Sequence, residues 1–147
     1  MQAKASKLLC KGNVWVYLNK RLVRFIPNLV VNAGLAQVAG LLVESGTAPS
    51  YVAIGTGTTP PAAGDTTLQA EYARGTATRS VKTTSVTNDT AVFERVFSFA
   101  ESVEVTEAGL LNAASEGTLT SRSVFSAVSV PNGGELLVRW EIQVAAS

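Results

Sequence analysis

Residues 135–144 read E-L-L-V-R-W-E-I-Q-V, and no other stretch restricts the fold as much. Leu136, Val138, Trp140, Ile142 and Val144 share one parity, and Leu137, Arg139, Glu141 and Gln143 share the other. Ten residues of period two predict a strand with one dry face and one wet face. Such a strand needs neighbours on both edges and a second layer over its dry face, and the rest of the chain must supply them.

The remaining segments read in the same way. Residues 13–26 contain V-W-V-Y-L and R-L-V-R-F-I on either side of Asn19-Lys20, a two-residue polar turn between β-rich runs that predicts a hairpin. Pro27 is expected to end its second strand. Val31, Leu35, Val38 and Leu42 then step by four, three and four, which predicts one amphipathic helix with its apolar stripe inward, Asn32 as N-cap and Gly46 as stop. Strands are expected at 50–55, across 72–86, at 91–99 with Phe93, Phe97 and Phe99 on one side, at Val103–Val105, where Thr106–Gly109 is expected to redirect the chain into L-L-N-A, and at 119–130. Arg95 shares the parity of those phenylalanines, so it must lie near an edge or meet a carboxylate. The turn P-N-G-G at 131–134 predicts that the last two strands form an antiparallel hairpin. Seven or eight strands with frequent turns make the fold mainly β, an antiparallel sandwich or barrel with one helix. The expected organisation is an extended N-terminal arm over 1–13 and a single β-rich domain over 14–147.

Charge is sparse and uneven. Only 16% of the 147 residues are charged, and a soluble chain with so little charge is expected to cover part of its surface with another chain. Lys4, Lys7, Lys11, Lys20, Arg21 and Arg24 all precede the first acid, Glu44, and these six basic residues are the expected partner contacts. They form no helical stripe and no aromatic–basic platform, so nucleic acid is not an expected partner. No apolar run reaches the ~18 residues of a membrane span, and the N-terminal lysines precede no apolar segment of a signal peptide.

Chemistry is hard to find in this composition. Histidine is absent, which removes the usual triads and zinc sites. The single cysteine, Cys10, lies among lysines that would lower its pKa, but no second catalytic group accompanies it. Glu101, Glu104 and Glu107 read as a solvated acidic face rather than a cation site. The glycines of T-G-T-T-P-P-A-A-G-D lack the lysine and spacing of a phosphate loop. No enzyme, metal or cofactor is expected. Trp15, Tyr17 and Tyr51 would offer stacking surfaces if the chain were a carbohydrate-binding or small-ligand module; core packing explains them as well.

Five segments taken together resemble a family of tailed-bacteriophage virion proteins. They are N-L-V-V-N-A-G-L-A-Q-V-A-G-L-L, Y-V-A-I-G-T-G-T-T-P-P-A-A-G-D-T-T-L-Q-A-E, V-T-E-A-G-L-L-N-A, G-T-L-T-S-R-S-V-F-S and L-L-V-R-W-E-I, in that order between Asn28 and Val144. Within that family the chain looks most like the capsid decoration, or cementing, proteins of long-tailed phages. The resemblance implies a β-tulip-like or sandwich body and a homotrimer on the capsid surface, bound to the major capsid protein. It also implies an arm reaching neighbouring capsomers, and residence in the host cytoplasm before assembly. Similar sequences also look like tail, fibre or head-tail adaptor components, which is the alternative.

Overall fold

The computed structural model describes residues 4–147. Nine strands and one helix follow in the order β1 (Leu8–Leu18), β2 (Arg21–Val30), α1 (Asn32–Leu42), β3 (Tyr51–Gly55), β4 (Glu71–Thr76), β5 (Thr78–Lys82), β6 (Thr90–Ser98), β7 (Val103–Leu111), β8 (Leu119–Val130) and β9 (Glu135–Ala146). All pair antiparallel in one sheet, ordered β4-β3-β7-β8-β2-β1-β9-β6-β5. The two end strands, β4 and β5, are separated in sequence by Ala77 alone. The sheet therefore curls back on itself into a nearly closed barrel, or a sandwich joined at two corners. One corner is the β4–β5 segment. The other is β2, which pairs with β1 over Arg21–Asn28 and then with β8 at Leu29 and Val30.

β9 sits at the centre of one half, between β1 and β6. Leu136, Val138 and Trp140 are completely buried, as their parity requires. They meet Phe93, Phe97 and Phe99 of the β6 segment, Val14 and Val16 of β1, and Ile54, Val105, Leu110 and Phe125 from the facing half. The Trp140 indole would be an orphan donor in this core. The Asn28 amide, in the orientation that satisfies its neighbours, accepts from Trp140 Nε1 at 3.0 Å and from the Asn13 N–H at 3.2 Å. A smaller second core of Val31, Ala53, Leu68, Leu111 and Leu119 lies on the outside of the other half, beneath α1.

Asn19 (φ 47°) and Lys20 (φ 69°) both take left-handed backbone, as a two-residue hairpin turn demands. Other expectations need correction. Pro27 does not end β2; it sits where the strand leaves β1 for β8, a place that tolerates a missing N–H. β8 and β9 are not a hairpin. The 131–134 turn crosses between the two halves, and its hydrogen bonds go to Phe99: Gly133 N–H donates to Phe99 O, and Phe99 N–H donates to Gly134 O. The expected arm over 1–13 is strand from Leu8 onward, because Leu8 to Asn13 pair with Ala146 to Glu141 of β9. Residues 1–3 of that arm lie outside the described residues.

The helix is present but turned. Val31, not Asn32, is the N-cap, and no side chain caps it. Gly34 is the one buried residue of α1, because the helix lies directly on β8: a methyl group there would run into the Thr120 carbonyl. Close approach through Gly34 puts the edge containing Val31 and Gly34 against the sheet. Leu35 and Leu42, expected inward, lie roughly 100° and 80° from Gly34 at 100° per residue and face solvent.

Candidate interaction surfaces

Three features of the surface bear on function. The first is a locked loop. Residues 56–70 cover the outer face of β7 and β8, and a buried ion cluster fastens them. Arg122 of β8 and Glu107 of β7 are 2% and 0% exposed. Arg122 Nε and Nη2 donate to Glu107 Oε2 at 3.1 and 2.8 Å, Nη1 donates to Asp65 Oδ2 at 3.0 Å, and Nη2 also donates to the Thr59 carbonyl at 3.0 Å. Glu107 accepts three further bonds from the backbone N–H groups of Gly57, Gln69 and Ala70. The loop crosses so close to Glu107 that side chains at Gly55 and Gly57 would collide with its carboxyl group. These glycines hold a loop to a sheet rather than cradle a phosphate.

The expected acidic face of Glu101, Glu104 and Glu107 is accordingly broken up. Glu107 is buried; Glu101 is exposed and accepts from the Tyr72 hydroxyl at 2.9 Å, a bond that pushes the Tyr72 pKa up. No group of three or more His, Cys, Asp or Glu suited to a metal occurs among the described residues. Burial pushes the Cys10 thiol up rather than down, against the expectation drawn from its lysine neighbours, because desolvation disfavours the thiolate.

The second feature lies on the outer face of the opposite half. A bulge at Val16/Tyr17 sets Tyr17 opposite Leu22 of β2; Tyr17 also pairs with Leu137 of β9, and Leu137 with Val96 of β6. Leu22, Tyr17, Leu137 and Val96 thus form one row across four strands, with Leu22 and Val96 about half exposed. Phe25, 57% exposed, packs beside it against Trp15 with ring centroids 4.8 Å apart and the rings tilted by 39°. Beyond Trp15 the face turns ionic: Lys82 lies over the Trp15 ring and bonds Glu141 at 2.6 Å, and Arg139 bridges Glu141 and Glu94 at 2.8 and 3.3 Å. Shallow hollows of about 570 and 310 Å³ flank the Val96–Leu137 pair and make one trough.

The third is the exposed flank of α1, where Leu35, Leu42 and Val43 are 51%, 74% and 76% exposed. The chain carries no charged residue from Phe25 to Val43, and Glu44 follows directly.

The six basic residues expected to bind a partner do not form one patch. Lys4, Lys7 and Lys11 are exposed at one end of β1, and Lys20 and Arg21 are exposed at the hairpin tip at the other. Lys11, the nearest of the first group, is seven residues from the Leu18 end of β1, roughly 24 Å at ~3.4 Å per residue. Arg24 is occupied by its own chain. It donates to the carbonyls of Ser126 at 2.9 Å, Ala127 at 2.6 Å and Val23 at 2.7 Å, bridging the gap where β2 and β8 diverge. Trp15 and Tyr17 lie together on the outer row, whereas Tyr51 packs with the second core, so the three aromatics do not assemble a sugar platform. The row itself was within reach of sequence reasoning, since alternation along β1, β6 and β9 puts its members outward; the register that aligns them was not. Compared with known proteins, the chain matches no family model, no curated protein and no solved structure.

Proposed function

We propose that the protein is a structural component of a tailed-phage virion, a decoration protein that binds the outside of the mature head as a homotrimer and clamps neighbouring major capsid subunits. The observation that most supports this reading is the apolar row Leu22–Tyr17–Leu137–Val96 with Phe25 beside it. Solvated apolar side chains aligned across four strands are the kind of surface that another chain covers. Basic residues border the row at the hairpin tip, where Lys20 and Arg21 meet acidic groups on a neighbour; Lys4, Lys7 and Lys11 make a second contact at the far end of β1. The work is mechanical: association removes apolar surface from water at ~25 cal/mol per Å², and three copies in one particle multiply weak contacts through effective concentration. In this reading no bond is made or broken, no cofactor takes part, neither nucleic acid nor membrane is a partner, and the chain stays in the host cytoplasm until it meets the shell.

The test uses the full-length protein and expanded, undecorated phage shells. Saturable addition in multiples of three, weakened by Lys20→Glu/Arg21→Glu, is the expected result. A protein that ignores shells, or that labelling places only on tails or fibres, overturns it.

A further inference from the structure

The trimer in this reading needs two different, complementary surfaces on every copy, because rotation by a third of a turn never brings a patch onto itself. The chain exposes two apolar surfaces of opposite shape on opposite sides of the sandwich. One is a ridge, the flank of α1 with Leu35, Leu42 and Val43, outside the half that contains β8. The other is the trough over Val96 and Leu137, outside the half that contains β9 and floored also by Tyr17. Charge adds to this: Glu44 closes the ridge, and Lys20 lines the trough, together with Glu135 at the same end and Glu94 and Arg95 at the other. Ala39, exposed between Leu35 and Leu42 on the helix surface, leaves room for a close approach.

We infer that α1 of one copy docks in the β2-β1-β9-β6 trough of the next, with Leu42 and Val43 covering the Val96–Leu137 pair and Glu44 meeting Lys20. Ridge on ridge leaves the trough and Lys20 uncovered, and trough on trough leaves two of the most exposed aliphatic side chains of the described residues, Leu42 and Val43, in water. This contact rests on the self-association proposed above but not on any capsid. A head-to-tail contact closes as a ring or runs on as a stack according to the rotation between its two surfaces.

The experiment uses full-length protein carrying Cys10→Ser with Leu42→Cys, Val96→Cys or both, joined by a short bismaleimide, with sedimentation measured in parallel. The expected result is a covalent dimer when the two single-cysteine proteins are mixed, none from either alone, and a ladder from the double variant. Lys20→Glu is expected to weaken association ~10-fold and Glu44→Lys to restore it. A ladder ending at three supports both the contact and the trimer; one running past three supports the contact and overturns the trimer. An associating protein whose mixed variants do not cross-link, or whose Leu42→Cys variant links to itself, overturns the contact and leaves the decoration reading standing. A monomer at every concentration overturns both the contact and the trimer.

Discussion

Arg122→Met tests what holds the 56–70 loop to the body. Methionine keeps the length and most of the volume of the arginine stem, so the change deletes the charge and its bonds with little cavity. Four bonds disappear: two to Glu107, one to Asp65 and one to the Thr59 carbonyl. Removing one partner of a buried ion pair costs ~3–5 kcal/mol, because the other charge stays buried without compensation. Here the backbone N–H groups of Gly57, Gln69 and Ala70 still face Glu107, which places the loss at the lower end, ~3 kcal/mol. For a chain of this size that lowers Tm by roughly 6–12 °C. Urea unfolding followed by tryptophan fluorescence reads it, since Trp140 is fully buried. Glu107→Gln in the Arg122→Met background supplies the second arm: the neutral amide needs no counter-charge, but its NH2 cannot accept the N–H bond that one carboxylate oxygen accepted, so the two effects oppose and the double variant is expected to lie within ~1 kcal/mol of Arg122→Met alone. A loss below ~1 kcal/mol would put the pair in the class of surface salt bridges and refute the reasoning.

Two further outcomes follow from the strand pairing and the turns. Deleting residues 1–7 is expected to leave the melting transition unchanged, whereas deleting 1–12 strips Leu8–Gly12 from the edge of β9 and lowers it clearly; equal melting of both would contradict the β1–β9 register. Asp89 accepts from the N–H groups of Thr84, Ser85 and Val86, which hold its carboxyl group well below the usual carboxylate range. Its contribution to stability is therefore complete above the unfolded value near ~4 and is lost as pH falls further, so Asp89→Asn is expected to flatten the acid limb of a stability–pH curve; an unchanged limb would show that the turn does not couple to folding.

The strands were legible because each is long enough to show its parity, and β1, β6 and β9 show it most clearly. The β1–β2 turn was legible from two residues. What parity does not encode is which strand lies beside which. P-N-G-G looks like a hairpin turn wherever it leads, and only the hydrogen bonds to Phe99 reveal a crossing between halves. The helix was legible as a helix, but its stripe pointed the wrong way. Apolar period alone puts Leu35 and Leu42 inside, while a single glycine at position 34 sets how closely and on which edge α1 meets β8. Glu107 and Arg122 were invisible for a related reason. They are fifteen residues apart on adjacent strands, and a lone acid in V-T-E-A-G gives no sign that a distant loop will bury it.

Two arginines on inward-facing parity explain how such a sheet closes without becoming a regular barrel. β2 and β8 pair only at Leu29 and Val30, and beyond that point Arg24 spans the gap to the Ser126 and Ala127 carbonyls. At the other corner β5 leaves β6 after Glu94, and Arg95 turns its guanidinium across Phe97 to Gly75 and the Thr76 carbonyl. In each case a long side chain with several donors stands in for ladder bonds that the diverging backbones do not make, while its stem stays against apolar neighbours. Arg24 is therefore committed to the fold, although its place among the first six basic residues made it a candidate for binding. The same split explains why the trough exists. Where β6 loses β5, the outer face over Val96 sinks between Thr78 and Leu137, so the closure that makes the body also shapes the surface proposed to receive a second copy.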